Sequence, residues 1–293
     1  MCDEQSERDI SQRAGKGFSP ERRDFNKLLA IGSLAAAFPQ FTVASDHVVS
    51  HDVSITTPDG SADGYFVHPK QGNHPAVLMW PDIKGLRPAF KQMATRLAAQ
   101  GYAVLVVNPF YRDVSGAALP DSVTFPSNEA WAILREYRSK LTSEAVVRDA
   151  QAFFAFMDAQ DAVNTQAGGG AMGYCMSGSF VMRAAAAMPE RLSAIASFHG
   201  GGLATDDDDS PHLTVPHSRA AVLHAIAEND DEKVPQMKVM LRDAYAQADL
   251  PATVEVYEGT LHGWCPPDSR AYNETQAERA WSAALSLFKT HLV

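Results

Sequence analysis

One cysteine of this 293-residue chain lies where it could act as a nucleophile. The segment from Gly173 to Gly178 reads Gly-Tyr-Cys-Met-Ser-Gly and joins an apolar run to an alanine-rich run. This pattern is typical of a nucleophile elbow, a sharp turn between a strand and a helix. Small neighbours let the strand and the helix approach closely, and the N-terminus of the helix favours a thiolate and a developing oxyanion. We therefore interpret Cys175 as a nucleophile.

Two later segments supply an acid and a base. Asp230 and Asp231 follow the apolar run at residues 220–227, and His262 follows another strand-like run at residues 253–257. The order nucleophile, acid, histidine is that of the α/β-hydrolases. The histidine takes the proton of the nucleophile, and the acid orients the ring and stabilises the imidazolium. Either Asp could be the acid, and we favour Asp230 because it is the third residue after the strand ends at Ala227.

These residues need a fold that brings the ends of several strands together. Continuous apolar runs alternate with helical patterns, which predicts an α/β fold with a mostly parallel central sheet and helices on both faces. Neither a repeat nor a Ser/Gly linker interrupts residues 46–293, so we expect one domain. The predicted strands are 48–57, 64–68, 76–80, 102–107, 168–174, 192–198, 220–227 and 253–257, and the predicted helices are 88–100, 143–159 with Ser143 as its N-cap, 177–187, 234–247 and 274–292.

Residues 113–142 break the alternation. They include two prolines, Trp131 and Tyr137, and their hydrophobic periodicity is weak. A long excursion after a strand can form an active-site lid, and a plain surface insertion fits the same pattern.

The elbow, the acid and the histidine together resemble the dienelactone hydrolase family over residues 48–293. That family has an elbow of the form Gly-aromatic-Cys-x-small-Gly, which residues 173–178 match. The resemblance implies the α/β-hydrolase fold and hydrolysis of a lactone or carboxylic ester through a Cys-His-Asp triad and a thioester intermediate.

The resemblance also implies roles for residues outside the triad. Asp82 occupies the place of an acidic residue, often Glu in the family, that holds or activates the cysteine before substrate binds. The backbone N–H groups of Ile83 and Met176 are expected to form the oxyanion hole, and donors of this kind are worth roughly 3–4 kcal/mol each in the transition state. Arg112 is expected to bind a substrate carboxylate through two charge-assisted bonds. Tyr174 is expected to contact the substrate.

The chain departs from the family at one place. The family enzyme that opens dienelactones has a second arginine shortly after the histidine, whereas here Gly263 follows His262 and no arginine occurs before Arg270. We therefore expect a small ester or lactone, with or without a carboxylate, in place of the dienelactone itself.

The first 44 residues are typical of an export signal. Residues 22–27 read Arg-Arg-Asp-Phe-Asn-Lys and resemble a twin-arginine motif. The apolar stretch at residues 28–38 is shorter than the ~20 residues of a membrane-spanning helix, and residues 42–44 suit signal peptidase. We expect residues 45–293 to be a mature domain without a membrane span, exported to the periplasm or beyond by the twin-arginine machinery. The alternative is an N-terminal amphipathic helix.

Charge, composition and the motifs that are missing argue against several other classes of protein. The chain has 25 basic and 35 acidic residues, a formal net charge of −10, which argues against a nucleic-acid partner. Its three cysteines are too few for a disulfide scaffold. We find no phosphate-binding or dinucleotide motif, and His212 and His217 lack metal-ligand spacing, so we expect no cofactor and no metal ion. His199 ends a predicted strand and could line the pocket, and we favour the alternative that it packs at the strand end.

Two other functions remain open from sequence. Cys175 and Cys265 could form a redox pair, because Cys265 lies three residues after His262. The chain could also be a non-catalytic binding domain on a hydrolase scaffold, since a fold does not fix a function.

Overall fold

The computed structural model describes residues 8–10 and 47–293. The predicted export signal, residues 1–44, lies outside the described residues except at 8–10, and it stays a prediction. Among the described residues, no helix combines the length and the apolar character that crossing a membrane requires.

A single sheet organises the domain. Its strand order is β1-β2-β4-β3-β5-β6-β7-β8. β2 pairs antiparallel with β1 and with β4, and the remaining neighbours pair in parallel. The predicted α/β-hydrolase fold is confirmed. The strands are β1 (Val48–Thr57), β2 (Gly60–Pro69), β3 (Ala76–Trp80), β4 (Ala103–Val107), β5 (Gly169–Tyr174), β6 (Leu192–Phe198), β7 (Ala221–Ala227) and β8 (Ala252–Tyr257).

Helices cover both faces of the sheet. Parallel strands buried on both faces carry continuous apolar side chains, and all positions of β3, β4, β5 and β7 are buried. Phe90, Trp281 and Phe288 form the core on the face covered by the first and last helices, and Phe153 and Phe180 belong to the core on the opposite face. The α-helices are α1 (Pro88–Ala98), α2 (Asn128–Ser139), α3 (Ser143–Asp158), α4 (Gly178–Ala187), α5 (Glu228–Lys233), α6 (Gln236–Gln247) and α7 (Glu274–His291).

Three local features differ from the sequence analysis. The cap of α3 is Thr142, whose side chain accepts the N–H of Ala145 at 3.2 Å, so the assignment of Ser143 was wrong. Residues 113–142 contain the helix α2, which buries Trp131. The helix α5 was not predicted, because six residues without an apolar side chain show no hydrophobic period.

Candidate active site

Cys175 follows directly on the end of β5 in a strained backbone conformation. Its φ is +57°, a left-handed value that non-glycine residues seldom adopt and that often marks a functional site. A Cβ at Gly173 would lie 2.1 Å from the carbonyl oxygen of Ser177, and a Cβ at Gly178 would lie 2.4 Å from Ser197 Oγ. Only glycine therefore lets the backbone close this turn as tightly, and the elbow predicted from sequence is present.

Ser177 ties the elbow to the end of β3. Its Oγ accepts the N–H of Tyr174 at 2.8 Å and lies 3.0 Å from the carbonyl oxygen of Trp80 and 2.9 Å from that of Pro81, to which its hydroxyl can donate. This contact holds the turn against the segment that carries Ile83. Ile83 and Met176, the residues expected to form the oxyanion hole, are both buried there.

His262 and Asp230 meet at the ends of two neighbouring strands. His262 follows β8, and its Nδ1 lies 2.6 Å from Oδ2 of Asp230 in α5, directly after β7. Asn229 fixes the histidine backbone by accepting its N–H at 2.8 Å. The alternative acid, Asp231, instead binds Lys238 at 2.5 Å. The geometry therefore favours Asp230 as the partner of the histidine.

Charge couples His262 to both the acid and the thiol. Burial lowers the pKa of His262, but the charges of the Asp230 carboxylate and of Cys175 outweigh this effect and raise the pKa to about 10. Burial raises the pKa of Asp230, and the charge of His262 more than offsets it, so the net direction is down. The ring is therefore an imidazolium at neutral pH, placed between a carboxylate and a sulfur atom.

Cys175 and His262 both line a small cavity. Its volume is about 170 Å³, below the ~300–1,000 Å³ of sites for drug-sized ligands. The cavity therefore suits a small ligand. Its lining comprises Ile10, Asp82, Ile83, Lys84, Phe125, Cys175, His199, His262, Gly263, Asp268, Ser269 and Arg270.

Asp82 lines the cavity with its carboxylate already bound. Arg87 at the start of α1 donates to both oxygens, at 2.7 and 2.8 Å, and the N–H of Lys84 donates to Oδ1 at 2.9 Å. Arg87 also binds Asp268 at 2.7 and 3.0 Å. Burial raises the pKa of Asp82, but Arg87 outweighs it, so the group stays ionised. Sequence reasoning missed Arg87, and the expected contact between Asp82 and Cys175 stays a prediction.

Arg112 lies in a different cluster and does not line the cavity. Its guanidinium binds Asp149 at 2.8 Å through two nitrogens and Asp59 at 2.6 Å. Tyr111 donates to Asp149 at 2.6 Å. Asp149 is completely buried in α3, and burial raises its pKa against the effect of Arg112 and Tyr111. The guanidinium expected to bind substrate thus neutralises an internal carboxylate.

Tyr174 also lies outside the cavity lining. Its ring stacks on Phe198 with centroids 4.7 Å apart and meets the edge of Phe90 at 5.1 Å. The side chain is therefore part of the core on the α1 and α7 face, because strand residues alternate between faces. Tyr174, which was expected to contact the substrate, thus packs in the core and does not line the cavity.

The two cysteines of the described chain are separate free thiols. Cys265 is buried among apolar residues, which raises the pKa of its thiol well above the ordinary value. It does not line the cavity. The described residues therefore contain no disulfide between Cys175 and Cys265.

Two polar residues, His199 and Arg270, also line the cavity beside the predicted site residues. His199 follows β6 and is completely buried, yet it lines the cavity and does not merely pack at the strand end. Arg270 also lines it, eight residues after His262. Both positions lie after the carboxyl ends of parallel strands, and this topological signal could have pointed to them.

Known proteins resemble this chain over nearly all of the described region. Residues 62–292 match the model of the dienelactone hydrolase family. A carboxymethylenebutenolidase of Rhodococcus opacus is 23% identical over 75% of this chain and 83% of its own length. A Synechocystis sp. protein provisionally named carboxymethylenebutenolidase is 23% identical over 82% of this chain and 96% of its own. A crystal structure from Klebsiella pneumoniae, provisionally described as a dienelactone hydrolase, has a TM-score of 0.72 at 20% identity over 83% of this chain and 99% of its own, which supports the fold.

The first prediction concerns the charge on His262. NMR titration of histidine side chains should give a midpoint near 10 in the unmodified protein. Asp230→Asn should lower that midpoint by roughly 1–3 pH units, because an adjacent opposite charge shifts a pKa by that amount. A His262→Gln spectrum identifies the resonance.

Asp231→Asn is the matched control for this titration. Asp231 pairs with Lys238, so its replacement should leave the His262 midpoint in place. A shift caused by Asp231→Asn and not by Asp230→Asn would reassign the acid.

Proposed function

The chain belongs to the dienelactone hydrolase family, and from this premise we propose that it hydrolyses a small lactone or carboxylic ester through Cys175, His262 and Asp230. The observation that carries the proposal is that His262 lies 2.6 Å from the Asp230 carboxylate and lines one cavity with Cys175, which sits at a strained elbow. The charges of Asp230 and Cys175 raise the pKa of His262 to about 10. An imidazolium beside a cysteine favours its thiolate, which is the reactive nucleophile.

Acylation begins with attack of the Cys175 thiolate on the carbonyl carbon. The carbonyl oxygen becomes an oxyanion, which the N–H groups of Ile83 and Met176 stabilise by roughly 3–4 kcal/mol each. His262 then donates its Nε2 proton to the leaving alkoxy oxygen. The C–O bond breaks as the tetrahedral centre collapses, which leaves a thioester on Cys175 and releases the alcohol, or frees the hydroxyl end of an opened lactone.

Deacylation reverses the roles of the same groups. The now neutral His262 removes a proton from water, and the hydroxide oxygen bonds to the thioester carbon. Collapse of this second tetrahedral centre breaks the C–S bond, so the electron pair returns to sulfur as thiolate and the carboxylic acid leaves. Asp230 stabilises the imidazolium in both half-reactions without taking the proton itself.

Cations at the cavity suggest where a substrate carboxylate would bind. Lys84 and Arg270 both line the cavity, whereas Arg112 does not. A carboxylate-bearing ester in the cavity would therefore meet Arg270 and Lys84. The name of the Rhodococcus opacus relative, carboxymethylenebutenolidase, supports a lactone as the substrate class.

Export through the twin-arginine route remains part of the proposal. It rests on residues 22–27 and on the short apolar stretch that follows them. Replacing Arg22 and Arg23 together by lysine should leave the protein in the cytoplasm, as measured by immunoblots of cell fractions. The paired control is lysine at Arg8 and Arg13, which lie outside the motif. Equal export of both variants would contradict the signal.

Cys175 should be indispensable for hydrolysis. Cys175→Ala should reduce turnover of 4-nitrophenyl acetate to the rate of the uncatalysed reaction, because it removes the nucleophile. Cys265→Ser is the matched control and should retain most of the activity, since Cys265 lies outside the cavity lining. Retained activity in Cys175→Ala would overturn the mechanism. Loss of activity only in Cys265→Ser would favour redox chemistry of the second thiol.

Arg270 and Arg112 should differ in their effect on charged substrates. Arg270→Ala should raise KM for mono-4-nitrophenyl succinate by roughly 3–10-fold and leave KM for 4-nitrophenyl butyrate unchanged, because only the former loses a charge-assisted contact.

Arg112→Ala supplies the comparison. It should keep the ratio of the two KM values and lower the free energy of unfolding by about 3–5 kcal/mol, because Asp149 then stays buried without its main partner. Urea denaturation measures this loss. If Arg112→Ala alone changed the KM ratio, Arg112 and not Arg270 would bind the substrate carboxylate.

A further inference from the structure

His199 is a buried polar side chain whose hydrogen bonds are unmade. It is completely buried, and neither Nδ1 nor Nε2 has a hydrogen-bond partner among the described residues. A buried polar atom without a partner costs ~1–3 kcal/mol, and native proteins satisfy most such atoms. Since His199 lines the cavity, a molecule inside the cavity can supply the missing partner.

The ring of His199 is held beside the proposed catalytic base. Its centroid lies 5.1 Å from that of His262, with the planes at 76°. The ring centroids of Tyr174 and Trp264 lie 6.0 and 6.5 Å from that of His199. Its backbone N–H donates to Ala225 at 2.8 Å, and its φ of +40° is strained. Such a constrained ring is typical of a positioned functional group.

His199 differs from His262 in charge. Burial and the positive charge of His262 lower the pKa of His199 to about 3, so its ring is neutral at working pH. A neutral imidazole offers one N–H donor and one unprotonated nitrogen acceptor. The two histidines at this cavity are therefore chemically distinct, because one carries a proton for transfer and the other can only make hydrogen bonds.

We propose that His199 binds the water that hydrolyses the thioester, which makes it a further catalytic residue. This inference rests on the proposed function. The water lies between the two rings: one O–H points to Nε2 of His262 and is transferred, and the other donates to the unprotonated nitrogen of His199. The water oxygen then forms its bond to the thioester carbon, the C–S bond breaks to regenerate the Cys175 thiolate, and His199 gains and loses no proton.

The role is confined to deacylation. In acylation the proton moves from His262 to the leaving oxygen, and no water is needed. Loss of the His199 acceptor should therefore slow thioester hydrolysis more than thioester formation. A residue that only supported the fold would slow both steps or neither.

His224 provides a matched control. It is also completely buried, on the neighbouring strand β7, and burial lowers its pKa to about 3. Its Nε2 lies 3.3 Å from the hydroxyl of Tyr245, and it does not line the cavity. His224→Phe thus reports the general cost of replacing a buried histidine in this sheet.

The experiment is stopped-flow hydrolysis of 4-nitrophenyl acetate by the full chain, with intact-mass analysis of quenched samples. In His199→Phe, the burst of 4-nitrophenol should keep its rate within about threefold, whereas steady-state turnover should fall ~10–100-fold, the equivalent of one lost hydrogen bond. The acetylated enzyme should accumulate. Added hydroxylamine, a stronger nucleophile than water, should restore turnover. His224→Phe should keep the ratio of the two rates.

Several outcomes would overturn the inference. One is an equal fall of the burst and steady-state rates in His199→Phe, and another is turnover without accumulation of the acetylated enzyme. If the Phe variant does not fold, His199→Leu, which also removes the acceptor, replaces it, and His199→Asn, which keeps a hydrogen-bonding side chain, is its comparison. Unchanged deacylation in His199→Leu would equally refute the role. If neither the unmodified protein nor these variants form an acetyl adduct at Cys175, the proposed function itself fails, and the inference fails with it.

Discussion

Gly173 sits where a side chain has no room, because the backbone of the following turn passes within 2.1 Å of the place of its Cβ. Where β5 and α4 approach each other this closely, Cys175 adopts a positive φ at the end of the strand. Ser177 then fastens the same turn to the end of β3. The positions of the Cys175 thiol and of the segment with Ile83 therefore depend on one packing constraint.

The buried carboxylates of the domain are paired with cationic side chains. Asp230 is paired with the imidazolium of His262, and Asp82 with Arg87. Asp149 is likewise neutralised by Arg112. An isolated carboxylate in the interior would be protonated or would destabilise the fold. The net charge of −10 consequently tells little about the cavity, where local pairs set the field.

The sequence was informative where chemistry coincides with strand ends. Cys175 and His262 could be placed because an apolar run announces each strand and the triad order is characteristic. Arg87 was missed, and Arg112 was expected to bind substrate, because the partner that determines each role comes from a distant segment. Arg112 and Asp149 are 37 residues apart in sequence. The sequence could not decide whether His199 lines the pocket or packs at the strand end, since its two ring nitrogens without a partner are visible only in three dimensions.

The contacts at the cavity also affect the stage of folding at which the site forms. Arg87 and Asp268, whose ion pair lies beside the cavity, are 181 residues apart in sequence. Such non-local contacts form late in folding, because the long intervening chain must first be ordered. Until then Cys175 has no imidazolium beside it and behaves as an ordinary, weakly reactive cysteine. On the proposed function, the newly made chain is protected from the reactivity of Cys175, because that reactivity appears only with the completed fold.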